Sequence, residues 1–386
     1  MAANRWVYLV LLSFLRVAMG MQFQSVGAAG PAIRDELGLD YAALGALAGS
    51  YLMLGAVIAL PAGWLSARFG DRRILLAGIG LMMAGGVGLG LSHGFAVALG
   101  FRLLSGCGAV MLGIVVSKLV MDRFPGPELG LAMGVLLGAW PLGIGAGSIG
   151  LPYLVDAIGW RGVMLATAAV CGGFLAMAAM TVPRQPRRAG PSIGAGLGWP
   201  AILAVIAAGF VWTFANAGYI IVLGFAPSYF VEHGMTLAGA GLVLSLFSFA
   251  TIPVGPAGGW IGQRFGRPLG LTVLCIVGVS AGILLLPESG HPALLLLGLG
   301  AILGLPSGLI VALPARVLAP EQRAVGMGLF YSVFYACLGA LSPFAGWLRD
   351  VSGVATAPFM AAAGLNLLTL AALWAFVMLA KRVAPR

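Results

Sequence analysis

The feature that most limits how this chain folds is a series of long apolar stretches separated by short polar breaks. A helix needs about 20 apolar residues to cross the hydrocarbon core of a bilayer. Only 8% of the residues are charged, against roughly 25% in a soluble domain, so lipid is the natural solvent of this chain. We therefore predict an all-α membrane protein with twelve transmembrane helices. The predicted spans are 7–30, 42–63, 74–92, 95–120, 130–154, 162–182, 200–226, 237–262, 269–287, 292–315, 324–347 and 356–380.

The loops between these spans alternate in charge. One set carries 15 of the 21 basic residues, and the opposite set carries only Arg34, Arg161 and Arg349. Short cytoplasmic loops are enriched in Lys and Arg, which predicts a multi-pass protein of the bacterial inner membrane with both termini in the cytoplasm. A net charge of +10 would suggest a nucleic-acid partner for a soluble protein. Because these charges lie in short loops, we expect membrane lipid and no nucleic acid around this chain.

The two halves of the chain repeat one another. At a constant offset of 196, Gly63, Trp64, Arg68, Phe69 and Gly70 match Gly259, Trp260, Arg264, Phe265 and Gly266. A shared block at one fixed offset is hard to obtain by chance, so we predict two pseudo-symmetric six-helix bundles, residues 1–182 and 200–386. A basic linker rich in Pro and Gly joins them at 183–199. Duplicated bundles of this kind place a solute site between the halves, near the middle of the membrane.

The loop after the second predicted span resembles a motif of the major facilitator superfamily. Residues 63–73 are similar to that family's cytoplasmic sequence G-x-x-x-D-R-x-G-R-R, and residues 259–267 resemble a second copy. The run at 102–108 in the fourth span resembles the family's R-x-x-x-G-x-G motif. The resemblance covers essentially the whole chain and implies the major facilitator fold, with transport by alternating access. It also implies conformational roles for Gly63, Arg68, Gly70, Arg72, Asp122, Gly259, Arg264 and Gly266.

One position departs from the family pattern. The motif's Asp, which in the family helps to latch the outward-facing state, is Ala67 here and Gln263 in the second copy. This chain therefore lacks the carboxylate of that latch at both positions. As a similar acid does in relatives, Asp122 is expected to pair with Arg68.

Four further stretches resemble the cyanate permease-type branch of the superfamily. They are residues 23–26, 60–63, 155–161 and 346–350. This resemblance implies a small anionic or weakly acidic solute.

Three basic residues lie inside predicted spans, where charge is costly and is by default a functional candidate. Arg16 lies near mid-membrane, about 15 Å along the first helix at 1.5 Å per residue. Arg16 and Arg102 could bind an anion through paired hydrogen bonds, or they could cap backbone carbonyls and hold helices together. Lys118 is expected to extend towards the cytoplasmic surface.

Several uncharged polar side chains are further candidates for the solute site. Gln24 flanks the face of the first helix that carries Arg16. Tyr331 and Tyr335 lie one turn apart on one face of the eleventh helix, where their hydroxyls could donate to an anion or their rings could serve packing alone. Asn216 in the seventh helix is a weaker candidate of the same kind.

The residue types also restrict the mechanism. No Asp, Glu or His lies deep in a predicted span, which favours facilitated diffusion, anion exchange or co-movement of a proton on a weak acid over a proton relay in the protein. We expect no enzyme, since neither paired membrane carboxylates nor a phosphate-binding loop is present. The four cysteines form no metal-binding pattern, and we expect no metal, no cofactor and a monomer. The alternative function is a multidrug or metabolite exporter of the same superfamily.

Overall fold

The computed structural model describes residues 5–124, 129–183, 198–264, 268–318 and 323–383. Within these ranges the chain is helical, with short 3-10 turns and no strand. An apolar chain in lipid has no water to satisfy its backbone, and a helix pairs those groups internally. The helices are α1 (Arg5–Ala28), α2 (Gly30–Leu37), α3 (Tyr41–Met53), α4 (Gly55–Phe69), α5 (Asp71–Gly90), α6 (Phe95–Arg123), α7 (Leu129–Thr181), α8 (Trp199–Glu232), α9 (Leu237–Arg264), α10 (Pro268–Leu285), α11 (Pro292–Gly304), α12 (Ser307–Val311), α13 (Arg323–Ser352) and α14 (Ala357–Val383).

The longest helix, α7, consists of two membrane crossings joined without a loop. Its 53 residues would extend about 80 Å at 1.5 Å per residue, well beyond the roughly 30 Å of the hydrocarbon core. Gly159 interrupts it with φ 70° and ψ 168°, a backbone conformation that is essentially restricted to glycine. The described residues contain eleven helices long and apolar enough to span a membrane, with α7 counted once. The division of α7 at Gly159 therefore confirms the predicted twelve crossings.

Some crossings contain a break that the sequence pattern did not predict. The predicted span 42–63 is built from α3 and α4, and the predicted span 292–315 contains α11 and α12. The predicted span 7–30 ends at Ala28, and a separate short helix, α2, begins at Gly30. Pro31 lies in the first turn of α2, where its missing amide hydrogen costs nothing.

The twelve crossings form two pseudo-symmetric bundles, with α1–α7 in the N-terminal bundle and α8–α14 in the C-terminal bundle. The main contacts between the bundles are α3 with α13 and α7 with α9, and α1 also contacts α8. We call the side of the molecule that carries both chain termini the terminal face, and the opposite side the distal face. Residues 184–197, which make up most of the predicted linker, lie outside the described ranges.

Candidate functional site

Arg16 lies midway along α1, at the twelfth of its 24 residues. The side chain is partly exposed, while its Nε atom is shielded and has no hydrogen-bond partner. Within the described part of the chain, the guanidinium group forms no hydrogen bond and no ion pair. A cation at this depth without a partner costs free energy. Arg16 is therefore a position at which an incoming anion would be stabilised.

Two tyrosines of α13 face Arg16 from the other bundle. The phenol groups of Tyr331 and Tyr335 are both close enough to interact electrostatically with the Arg16 charge, and both side chains are partly exposed. Their rings stack with centroids 6.2 Å apart. The Tyr335 ring packs directly against Gly55 of α4, where any side chain would overlap it. The structure thus brings three of the predicted site residues together across the bundle interface.

Aromatic rings extend this site along the C-terminal bundle. The ring of Phe334 lies 5.1 Å from that of Tyr335 and 5.9 Å from that of Trp212 in α8, measured between centroids. Trp212 occupies the position that matches Arg16 at the repeat offset of 196. The two bundles therefore differ at this equivalent position, where the N-terminal bundle has the charged Arg16 and the C-terminal bundle has the aromatic Trp212. The repeat offset was the signal that could have identified Trp212 from sequence.

Gln24 and Asn216 lie apart from the Arg16 guanidinium. Gln24 is eight residues beyond Arg16, which places it about 12 Å closer to the distal face. It is 2% exposed, and its Nε2 atom has no hydrogen-bond partner. The partly exposed Asn216 donates its amide to the carbonyl of Trp212 within its own helix, at 2.8 Å. Neither side chain is hydrogen-bonded to Arg16, and their roles in solute binding stay predictions.

Arg102 uses its guanidinium inside the protein. Its Nε donates to the carbonyl of Leu47 at 3.2 Å, its Nη1 to that of Gln22 at 2.9 Å and its Nη2 to that of Phe23 at 2.7 Å. The group also lies 4.4 Å from the centroid of the Tyr51 ring, and Arg102 is 1% exposed. These contacts match the second of the two roles considered for Arg102, which is to cap carbonyls and hold α1 and α3 against α6. At 1% exposure, its guanidinium is inaccessible to a solute in this conformation.

Lys118 extends towards the terminal face, as expected, and pairs there with an acid at the start of α5. Its Nζ lies 2.6 Å from Oδ1 of Asp71 at the start of α5, and the Ser66 hydroxyl donates to the same oxygen. Asp71 is only 4% exposed. In the loop motif it occupies a position where the family pattern has an arginine. The acid of the family motif is replaced by Ala67 in this chain. Asp71, four residues later, supplies an acid instead, and it pairs with Lys118 of α6.

Carboxylates are absent from the neighbourhood of Arg16 in the described ranges. The Asp and Glu side chains described there lie in connections, in the short helix α2, or within one turn of a helix end or of the kink at Gly159. Glu128 and Glu321 lie outside the described ranges.

Two residues of the loop motif have clear local roles. Gly70 ends α4 with φ 92°, a conformation that favours glycine. Arg72 donates from Nη2 to the carbonyl of Ala179 at 2.5 Å, which ties the start of α5 to the end of α7. These contacts fix the terminal ends of three helices relative to one another.

The remaining motif residues are only partly described. The Arg68 guanidinium lies 5.6 Å from the centroid of the neighbouring Phe69 ring, and Asp122 is exposed at the end of α6. Their expected pairing stays a prediction. Gly63, Gly259 and Arg264 are described only as helical backbone, and Gly266 lies outside the described ranges.

A network of charged and aromatic side chains joins the bundles at the distal face. Glu232 at the end of α8 accepts hydrogen bonds from the Tyr41 hydroxyl and from Nη2 of Arg349, and it lies 3.3 Å from Nη1 of Arg34. The Arg349 guanidinium lies 3.6 Å from the centroid of the Tyr41 ring. The carboxylate of Asp350 accepts the backbone amides of Tyr41 at 3.0 Å and Ala42 at 2.8 Å. Loop charges on one side of the membrane were predicted, but their convergence on one cluster was missed.

Comparison with known proteins supports the architecture and the family. A family model for the Major Facilitator Superfamily matches residues 12–340 and 231–386. The fold is similar to that of the xylose transporter XylE from E. coli in its inward open conformation. The TM-score is 0.78 at 15% identity, over 99% of this chain and 97% of the other. At that identity the likeness shows the fold alone.

Two relatives match over most of their length. The 2-nitroimidazole transporter of Escherichia coli (strain K12) is 25% identical over 379 residues, which is 95% of this chain and 94% of the relative. Monocarboxylate transporter 13 of Rattus norvegicus is 25% identical over 318 residues, covering 77% of this chain and 71% of the relative.

Other relatives match over a shorter region. An uncharacterized MFS-type transporter of Mycobacterium tuberculosis is 32% identical over 189 residues, or 47% of this chain. The tetracenomycin C resistance and export protein of Streptomyces glaucescens is 28% identical over 185 residues, or 45% of this chain. The matches span about a third of the length of these two relatives, 32% and 34%. Because the family model covers well over half of the chain, this protein belongs to the major facilitator superfamily and is a multi-pass membrane protein.

Proposed function

We propose that this protein is a secondary transporter or facilitator that moves a small anionic or weakly acidic solute by alternating access. The observation that carries the proposal is Arg16, a partly exposed guanidinium at mid-membrane with no partner among the described residues. An anion that reached this position would form charge-assisted hydrogen bonds in a medium of low dielectric constant, where such bonds are strong. A neutral solute would leave the cost of placing this cation in the membrane uncompensated.

The surroundings of Arg16 support an anion rather than a cation. The phenols of Tyr331 and Tyr335 face the guanidinium and could donate hydrogen bonds to a bound carboxylate or oxyanion. Cation-binding sites in membrane carriers commonly include a carboxylate, and no such group is described near Arg16. Because Arg102 is committed to three carbonyls, the proposed site depends on Arg16 as its one charged residue.

The proposed mechanism uses the two bundles as rigid parts. We assign the bundles to residues 1–182 and 200–386, with the basic linker at 183–199, and place both termini in the cytoplasm. The distal face, where Glu232 joins the bundles, is then the outer face, and this conformation opens towards the cytoplasm. The lack of a described carboxylate or histidine beside Arg16 favours uniport, anion exchange, or entry of a weak acid together with its proton.

The relatives support two solute classes. Similarity to a monocarboxylate transporter and to the cyanate permease-type branch favours small anions. Similarity to the tetracenomycin C resistance and export protein of Streptomyces glaucescens favours the alternative, an exporter of drugs or metabolites, and the 2-nitroimidazole transporter of E. coli offers a drug-like test solute. The two functions differ in whether binding requires the charge of Arg16.

Binding to the purified protein tests the proposal directly. Thermal unfolding is measured with cyanate, nitrate, pyruvate and 2-nitroimidazole, because a ligand at about 100 times its dissociation constant stabilises the folded state by about 2.7 kcal/mol. We expect one or more anions to raise the melting temperature. Arg16→Gln should weaken this binding about 10- to 100-fold, the loss expected for hydrogen bonds to a charged group worth about 1.5–3 kcal/mol.

The matched control is Arg316→Gln, which removes an exposed arginine outside the predicted solute site. This variant should retain anion binding and counterflow in proteoliposomes. Anion transport with unchanged affinity in Arg16→Gln would contradict the proposal. Stabilisation by 2-nitroimidazole alone, equal in wild type and Arg16→Gln, would favour the exporter instead.

A further inference from the structure

We infer that Asp350 is a positioning residue that holds the first turn of α3 against the C-terminal bundle and so keeps the distal face closed. The inference rests on the proposed alternating access, but it concerns the closed state and not the solute. It assigns a role in the transport cycle to a carboxylate at the end of α13, where the sequence predicted only a loop charge.

The start of α3 needs external hydrogen-bond acceptors. The first amides of any helix have no partner within it. At α3 the carboxylate of Asp40 accepts only the amide of Ala43, at 2.7 Å. The amides of Tyr41 and Ala42 are accepted instead by the two oxygens of Asp350, at 3.0 and 2.8 Å. The other bundle therefore completes the cap of this helix.

The charge of Asp350 suits this position. A helix N-terminus carries a partial positive charge, which stabilises a carboxylate placed on it. Asp350 is exposed to solvent, so it can leave the helix end without becoming a buried charge. Because Asp350 and Tyr41 belong to different bundles, both hydrogen bonds break when the distal face opens.

The residues next to Asp350 on α13 complete the docking surface. Gly346 lies one turn earlier, and a side chain there would overlap the carbonyl oxygen of Tyr41. Arg349 is 7% exposed and packs over the Tyr41 ring. The first turn of α3 thus contacts α13 through the amides of Tyr41 and Ala42, the carbonyl of Tyr41 and the Tyr41 ring.

The equivalent junction between α7 and α9 lacks this carboxylate cap. Later in each half the repeat offset is 194, at which Met133 and Gly134 match Met327 and Gly328, and at this offset the residue that matches Asp350 is Asp156. Asp156 is exposed and forms no hydrogen bond or ion pair with a residue of the described ranges. At the start of α9 the hydroxyl of Thr236 accepts the amide of Gly239 at 3.0 Å. Among the described residues, a carboxylate of the other bundle therefore caps α3 but not α9. Asp156 provides a matched control for Asp350.

The test measures opening of the distal face without any solute. A single reporter, Ser228→Cys, is placed in a background in which the four native cysteines are replaced by alanine. Ser228 is 1% exposed, and its hydroxyl lies near Gly30 of the other bundle. A membrane-impermeant maleimide applied from the distal side reaches this cysteine only when the bundles separate there. The size-exclusion profile of each detergent-purified variant reports its folding.

We expect Asp350→Ala to increase the labelling rate about fivefold or more, the factor that corresponds to about 1 kcal/mol. Asp156→Ala should leave the rate unchanged. Equal labelling rates in these two variants would overturn the inference. Since solute is absent, this result is independent of whether Arg16 binds an anion.

A second pair of variants tests the same hydrogen bond by removing its donor, the backbone amide of Tyr41. Tyr41→Ala and Tyr41→Pro both remove the ring, but only the proline also removes the amide hydrogen. Proline is tolerated at the first helical position, and the extended backbone of Asp40, with ψ 172°, suits a following proline. Tyr41→Pro should label faster than Tyr41→Ala, and this difference should disappear when Asp350→Ala is added. A difference of the same size in both backgrounds would contradict the role of Asp350.

Discussion

Gly45 of α3 lies directly against the carbonyl oxygen of Ser342 in α13, so closely that a methyl group at Gly45 would overlap that oxygen. Gly241 of α9 makes the same contact with the carbonyl of Ser148 in α7. Gly241 matches Gly45 at the offset of 196, and Ser342 matches Ser148 at the offset of 194. The two main contacts between the bundles are thus repeat-equivalent, and each depends on a glycine that allows two backbones to meet.

Gly45→Ala is predicted to favour opening of the distal face. The added methyl group must displace the backbone of α13, while the separated state has no such overlap. Labelling of the Ser228→Cys reporter should rise several-fold. Gly80→Ala is the matched control, because a side chain at Gly80 meets nothing within 4 Å. Faster labelling in Gly80→Ala than in Gly45→Ala would show that helix propensity, rather than the bundle contact, controls opening.

Arg102 and Arg16 should respond in opposite ways to the same substitution. Arg102→Met removes three hydrogen bonds that tie α1 and α3 to α6, and a hydrogen bond to a charged group contributes about 1.5–3 kcal/mol. Arg16→Met removes a cation that has no partner in the described structure. We predict a clear loss of thermal stability for Arg102→Met and no loss for Arg16→Met, measured without solute. If both variants lost stability equally, Arg16 would have a structural role.

The ion pair of Lys118 and Asp71 is predicted to stabilise the terminal end of the N-terminal bundle. Lys118→Met leaves the carboxylate of Asp71, which is 4% exposed, without its cation. Breaking a fully buried pair costs about 3–5 kcal/mol, and the partial exposure of Lys118 makes a loss of about 1–3 kcal/mol the expectation. Thermal unfolding of Lys118→Met, Asp71→Asn and the double variant measures the coupling. If the two charges stabilise each other, removing the second charge should restore part of the lost stability. A double variant less stable than Lys118→Met would contradict this.

Glu36 at the distal face should give an acid-dependent contribution to stability. The hydrogen bond from the Trp160 indole at 2.5 Å is the main cause that lowers the pKa of Glu36, and the bond and charge of Arg161 add to it. A pKa lower in the folded state means that the contribution is fully present above the unfolded pKa and is lost as the pH falls through the folded one.

The measurement compares Glu36→Gln with wild type across pH. The variant should melt at a lower temperature than wild type at pH 7, and the difference should shrink towards zero below about pH 4, near the ordinary Glu value. A difference that stayed constant down to the acid limit would show that the charge of Glu36 contributes nothing.

The fold followed from short-range features of the sequence. The apolar stretches determined helices and their number, because lipid satisfies no backbone group. The glycine-rich block repeated at one offset predicted two matched bundles. The predicted spans 130–154 and 162–182 placed a reversal between them, but not that it occurs at Gly159 without a loop, because the positive φ of this residue depends on how the two crossings pack. The breaks between α3 and α4 and between α11 and α12 likewise leave no distinct pattern in apolar sequence.

The sequence by itself determined which charges lie in the membrane, since an ionisable residue stands out in an apolar run. Only the tertiary structure separated their roles. Arg16 and Arg102 are the same residue type inside membrane-spanning helices, yet neighbouring carbonyls occupy one guanidinium, and the other lies near two tyrosines of the opposite bundle. The bonds of Asp350 to Tyr41 and Ala42 were equally hidden, because they join positions more than 300 residues apart. Composition fixes the cost of placing a charge in lipid, whereas the contact that offsets this cost depends on which distant helices meet.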